Sequence, residues 1–110
     1  MTTTTTAGCC PLPAIPPLVK ETTTSLSALF ATLADPTRLQ LLYAIKHANR
    51  PLCVCELTSL LPIAQSTVSY HLTRLRSLGF LESEQRGVWS YFSLPTTPSS
   101  CVHQLLEILP

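Results

Sequence analysis

Apolar residues recur at helical spacing in several stretches of the chain, and in one stretch they alternate instead. Leu26, Leu29, Phe30 and Leu33 predict a helix over residues 25–34, with Ser25 in capping position. Asp35-Pro36 then restarts the helical pattern, because aspartate caps a helix and proline fits its first position. The second helix carries Leu39, Leu42, Tyr43 and Lys46 and ends at Asn49-Arg50-Pro51. Leu52-Cys53-Val54 leans toward extended structure, so the next helix begins at Cys55 or Glu56. Cys55 would then stand where a capping serine is common, and Glu56 in the first turn, where negative charge is favourable. A helix starting at Pro51 is the competing local structure. That periodic run ends at Leu61, and Pro62-Ile63-Ala64 has the length of a turn between helices.

Val68, Leu72, Leu75 and Leu78 form the apolar stripe of a longer helix that begins near Gln65. Gly79 stands where a helix needs a residue free to take a positive φ. The opposite face offers hydrogen-bonding groups: Gln65, Ser66, Thr67, Ser69, Tyr70, Thr73, Arg74 and Ser77. A short helix, a tight turn and a polar-faced helix make a helix-turn-helix, whose second helix enters a DNA major groove by its N-terminal end. The competing explanation is a plain core helix whose polar face meets water. Residues 80–85 and 88–94 speak against it, because they read as two strands around Arg86-Gly87. In the second strand Val88, Ser90, Phe92 and Leu94 share one side, and Trp89, Tyr91 and Ser93 the other. A hairpin there is a wing, and its tip brings Arg86 toward phosphate. The fold class expected is therefore mainly α with a β-hairpin, a winged helix-turn-helix.

Residues 1–24 hold a threonine run, Cys9-Cys10 and four prolines, a composition that predicts a mobile arm preceding a domain over residues 25–110. After a linker at residues 95–98, Ser99 or Ser100 can cap a last helix with Val102, Leu105, Leu106 and Leu109 on one face. A helix so short is not stable alone. It is expected to pack, with the first helix, against a second subunit.

Composition adds three points. The chain has 110 residues, 45% of them hydrophobic and only 12% charged, which suits one small domain that covers further apolar surface by forming a homodimer. The net charge of +1 neither supports nor opposes nucleic-acid binding; within residues 65–94 the arginines at 74, 76 and 86 outnumber Glu82 and Glu84 by one. No apolar run approaches the roughly 20 residues of a membrane span, and the start lacks the regions of a signal peptide. A cytoplasmic protein with reduced thiols is expected, so its five cysteines point to metal or redox chemistry more than to disulfides.

Cys53 and Cys55 are two apart. On an extended segment they point the same way and can share one ion; on a helix they diverge by roughly 200°. Cys9-Cys10 on the arm adds a second pair. The spacing differs from the paired units of structural zinc sites. Thiolates select soft ions, such as trivalent arsenic or antimony with three sulfurs in a pyramid, or cadmium and lead with three or four. Cys101 is a third ligand or a bystander. His71 reads as a packed, hydrogen-bonded histidine, His47 as an end-of-helix or surface residue, and His103 with Glu107 as at most half of a zinc site. No residue set has the context for catalysis, and no organic cofactor is expected.

The segments LADPTRLQLLYAI (33–45), LCVCEL (52–57), QSTVSYHLTRLRSLGFL (65–81) and YFSL (91–94) resemble the ArsR/SmtB metal-sensing repressors. The resemblance implies a dimeric winged helix that occupies its operator when metal-free and leaves on binding an ion. It implies base or backbone contacts from Gln65, Ser66, Ser69 and Tyr70. The chain departs from the family pattern at Tyr70, where histidine is frequent, at Ala64, where a capping serine is frequent, and at Val88, where arginine is common. Its last helix lacks the histidine cluster of zinc-sensing members. The expectation is a repressor released by arsenite, with Cys53 and Cys55 as core ligands and Cys9 or Cys10 completing the site. The alternatives are cadmium or lead sensing through Cys9, Cys10, Cys53 and Cys55, a thiol redox switch, and a thiol-rich metal carrier that does not touch DNA.

Overall fold

The computed structural model describes residues 11–110, in which five helices and three strands follow one another. They are α1 (Lys20–Leu33), α2 (Pro36–Ala48), β1 (Leu52–Cys53), α3 (Val54–Thr58), α4 (Gln65–Ser77), β2 (Glu82–Arg86), β3 (Trp89–Ser93) and α5 (Ser100–Glu107). Helix α1 starts at Lys20 rather than Ser25, taking up the last residues assigned to the arm. Thr23 Oγ1 donates to Lys20 O at 2.8 Å in the first turn, where Glu21 is electrostatically favourable. Residues 11–19, with their prolines, form no helix or strand.

The restart at Asp35-Pro36 is as expected. Asp35 Oδ1 accepts from the N–H groups of Thr37 (2.8 Å) and Arg38 (3.2 Å), and Pro36 opens α2. The inward face of α2 differs from the expected stripe. Leu41, Leu42 and Ile45 are buried, whereas Leu39 and Tyr43 are exposed. The helix carries two overlapping apolar faces, and packing on α4 and the sheet selects one. Phe30 in α1 is likewise outside, while its neighbour Thr32 is buried and bonds Ala28 O at 2.9 Å. Lys46 turns from the expected stripe to α5, where Nζ donates to Leu106 O (3.1 Å) and Leu109 O (2.9 Å). It thereby satisfies carbonyls that a helix end leaves open.

Helix α4 buries Val68, Leu72 and Leu75 completely, and Leu78 packs partly against the core. It ends as its sequence predicts. Gly79 takes φ +86°, its N–H donates to Arg76 O at 3.1 Å, and the Phe80 N–H donates to Leu75 O at 2.9 Å. This is the Schellman arrangement, with the fully buried Phe80 and Leu75 as its apolar pair. Phe80 and Leu81 belong to the core, so β2 begins only at Glu82. The hairpin turns at Gly87-Val88 with Gly87 at φ +62°, and Arg86 pairs with Trp89 across it. Strand β1 joins this hairpin antiparallel to β3, giving the order β1-β3-β2 with Leu52 opposite Phe92 and Cys53 opposite Tyr91. Helix α5 is capped by Ser99 Oγ, which accepts from the Val102 N–H at 3.3 Å. It buries Val102 and Leu106 in its own core, so one face is anchored within the chain. Among the described residues no helix is long and apolar enough to cross a membrane.

Candidate nucleic-acid interface and thiol site

Helix α4 is held from behind by its apolar stripe and by one polar contact. His71 is nearly buried at 9% exposure, and its Nδ1 accepts from Arg38 Nε at 3.0 Å. Arg38 Nη1 also donates to Thr32 O at 3.3 Å, so one guanidinium ties α1, α2 and α4 together. The expectation of a packed, hydrogen-bonded His71 is met; its partner, 33 residues away, carries no sequence signal.

With that face fixed, Gln65, Ser66, Thr67, Tyr70 and Arg74 are exposed and Ser69 is half-buried. They share one outward surface that begins at the helix N-terminus. Ala64 makes no side-chain cap there, and leaves the first-turn N–H groups without a side-chain acceptor. Such a terminus suits a phosphate. Neither ion pair found among the described residues involves Arg74. Arg76 is drawn aside, its Nη1 donating to Ser83 Oγ on β2 at 3.0 Å. Glu82 turns away from this surface, since its Oε2 accepts from Thr96 N at 3.1 Å.

Arg86 stands at the end of β2 rather than at the tip. Its Nη2 bonds Glu84 Oε1 at 3.1 Å, and its guanidinium lies 4.7 Å from the centre of the Tyr91 ring. The tip itself is Gly87-Val88, with Val88 84% exposed.

The thiol pair straddles a junction. Cys53 closes β1 and is the N-cap of α3 with extended backbone, φ −88° and ψ 167°, and Cys55 lies in the first helical turn. The cap is therefore Cys53 and not Cys55. The cause is Glu56, which reaches back to accept from the Cys53 N–H at 3.1 Å, as the third residue of a helix does in a capping box. Arg50 holds the same carboxylate through both Nη2 (2.6 Å) and Nη1 (3.2 Å). The bonds from Arg50 and then from the Cys53 N–H hold the Glu56 carboxyl down to about 2. Glu56 in turn raises the Arg50 pKa. Arg50 had no signal in the sequence, because a pairing across six residues and a proline follows no helical or strand period.

Cys53 is half-buried, and Cys55 and Cys101 are exposed free thiols. Among the described residues no three His, Cys, Asp or Glu side chains gather closely enough to hold a metal ion. That covers Cys101 and the His103–Glu107 pair, both exposed on α5. Cys9 and Cys10 lie outside the described residues. Among the described residues the junction thus offers two soft sulfurs, Cys53 and Cys55, which fit a thiophilic ion only with at least one further thiol.

Comparison with known proteins agrees with this geometry. The family described as "Bacterial regulatory protein, arsR family" matches residues 35–83, from the α2 cap into β2. The chain is 38% identical over 80 residues to the arsenic resistance transcriptional regulator ArsR2 of Pseudomonas putida, covering 73% of this chain and 69% of that protein. It is 34% identical over 70 residues to the cadmium resistance transcriptional regulatory protein CadC of Listeria innocua, covering 64% and 58%. The matched stretch spans between 55% and 69% of the length of the arsenic-regulator relatives. The solved structure of HlyU from Vibrio cholerae superposes with a TM-score of 0.67 at 27% identity, covering 83% of this chain and 94% of that one. The chain belongs to the ArsR family (ArsR/SmtB) of bacterial regulatory proteins, built on the winged helix-turn-helix.

Proposed function

We propose that the chain is a homodimeric transcriptional repressor that binds operator DNA in the cytoplasm and is released by trivalent arsenic. One observation carries this: the paired thiols sit on the strand-to-helix junction that starts the helix-turn-helix, and α3 packs through the buried Leu57 into the same core as Val68 and Leu72 of α4. A change of backbone at the thiols therefore meets the DNA-facing helix within one helix and one turn. In this reading Gln65, Ser66, Thr67, Ser69 and Tyr70 face the groove, and Arg74 and Arg86 meet phosphate. Cys53 and Cys55 would hold the ion, with Cys9 or Cys10 as the third sulfur.

The dimer is supported by an unfilled apolar cleft of about 280 Å³ between α1, α2 and the end of α5, lined by Phe30, Leu33, Leu39, Leu105, Ile108 and Leu109. Phe30 is 57% and Ile108 75% exposed there, apolar surface that a second copy of the chain would cover.

Fluorescence anisotropy of labelled operator DNA, titrated with arsenite, tests the proposal. Arsenite is expected to weaken binding within the ~5–150-fold range of ordinary allosteric couplings, and Cys53→Ser or Cys55→Ser to abolish that effect. Unchanged release from Cys53→Ser refutes the ligand assignment. Absence of salt-dependent binding to any short palindrome refutes the DNA function and leaves a thiol-rich metal carrier.

A second reading is favoured by the likeness to a cadmium resistance regulator: cadmium or lead sensing through Cys9, Cys10, Cys53 and Cys55. Thiolate charge-transfer absorption distinguishes them, three sulfurs for arsenic against four for cadmium. Release by peroxide with no response to any ion would instead identify a thiol redox switch.

A further inference from the structure

Cys53, Tyr91 and Glu84 form one row across the three-stranded sheet. Cys53 is in register with Tyr91, and Tyr91 in register with Glu84. Residues directly opposite one another on antiparallel strands carry their side chains on the same face, with Cβ atoms about 4.5–5.5 Å apart. Arg86, two residues beyond Glu84, shares that face. It bonds the Glu84 carboxylate at 3.1 Å and covers the Tyr91 ring at 4.7 Å. Tyr91 is thus the register partner of the cysteine at the start of the helix-turn-helix, and its ring lies under the one arginine of the wing strands.

We infer that Tyr91 is a positioning residue that couples the Cys53 thiol to the wing: it sets where the Arg86 guanidinium stands, and it does so from the central strand, paired with Cys53 on one side and with Glu84 on the other. This rests on the ion-released repressor proposed above. The physical basis has two parts. Strand β1 is only Leu52 and Cys53, so its pairing with β3 is short, and a ligand on Cys53 acts on half of the strand. The second part is the exposure of the Arg86–Glu84 pair. Ion pairs so open to solvent contribute little, which leaves the aromatic ring as the feature that selects one guanidinium position. A ligand that displaces Cys53 displaces the ring across from it, and Arg86 with the ring. The wing is then a second path to DNA beside the one through α3 and α4.

The wing carries its own reporter. Trp89 is the single tryptophan of the chain, is paired with Arg86 across the turn and is half-exposed. Arsenite added to the full-length protein without DNA is expected to shift Trp89 emission, and Tyr91→Leu to remove that shift while Tyr91→Phe, which keeps the ring, retains it. Thiolate-to-arsenic absorption should titrate alike in all three proteins, because the sulfurs are untouched. In operator anisotropy, Tyr91→Leu and Arg86→Gln should each cut the fold-weakening by arsenite at least threefold relative to wild type. Arg74→Gln, which lies off the row, should lower affinity with the fold-weakening unchanged. A Tyr91→Leu protein that binds arsenite, keeps the Trp89 shift and keeps full release overturns the inference. Wild-type protein that binds DNA but is not weakened by arsenite, cadmium or lead overturns the ion-sensing proposal itself, and this inference with it.

Discussion

Arg38→Ala isolates the contact that holds α4 against α1 and α2. In the native protein Arg38 Nε donates to His71 Nδ1 at 3.0 Å and Nη1 to Thr32 O at 3.3 Å, both in part-buried surroundings. Truncation leaves the nearly buried His71 nitrogen without a donor. An orphaned buried polar group costs about 1–3 kcal/mol, and a hydrogen bond from a charged donor contributes about 1.5–3 kcal/mol. The Thr32 carbonyl, at the longer distance, adds little. We therefore expect a loss of about 2 kcal/mol, which lowers the melting temperature by roughly 8 °C in a domain of this size. His71→Phe removes the acceptor, so Arg38→Ala made on that background no longer orphans it. A double-mutant cycle should show a coupling of about 1–2 kcal/mol between the positions. Urea unfolding followed by far-ultraviolet circular dichroism, at one fixed protomer concentration, measures it. Additivity within about 0.5 kcal/mol, or an Arg38→Ala protein as stable as wild type, would refute the assignment of Arg38 as the tie between α1, α2 and α4.

Further expectations concern the helix end, the junction and the interface. Gly79→Ala meets no clash, since the nearest atom to its new Cβ would be Val102 Cγ2 at 3.9 Å, but φ +86° makes the backbone cost about 1–2 kcal/mol, readable in the urea midpoint. Glu56, with its carboxyl held down to about 2 from an ordinary 4.5 by Arg50 and the Cys53 N–H, stabilises the fold fully above the ordinary value and progressively less as pH falls toward the lowered one. Stability of Glu56→Gln should therefore lie below wild type at neutral pH and converge on it as pH is lowered through about 4 to 3; a constant gap would contradict this. Arg74→Gln should weaken all DNA sequences alike and reduce the slope of log affinity against log salt by about 0.9, whereas Gln65→Ala should relax sequence preference with little change in that slope.

The local elements were legible in the sequence because short-range chemistry sets them. Asp35-Pro36 starts α2, Gly79 ends α4, and the stripe of Val68, Leu72 and Leu75 faces the core, all from residues within a few positions of each other. The polar surface of α4 followed from the same periodicity. Choices between equivalent local options belong to the tertiary structure. Helix α2 offered two apolar faces, and contact with α4 and the sheet turned Leu41 and Ile45 inward while leaving Leu39 and Tyr43 outside. The cap of α3 falls at Cys53 because Glu56 reaches back to the Cys53 N–H and Arg50, on the other side of Pro51, holds the same carboxylate. The pairing of Cys53 with Tyr91, the hold of Arg38 on His71 and the stacking of Arg86 on Tyr91 join residues that no repeat relates. Periodicity tells which side of an element is apolar; only chain packing decides what that side meets, because such contacts depend on the path between elements and not on the spacing within them.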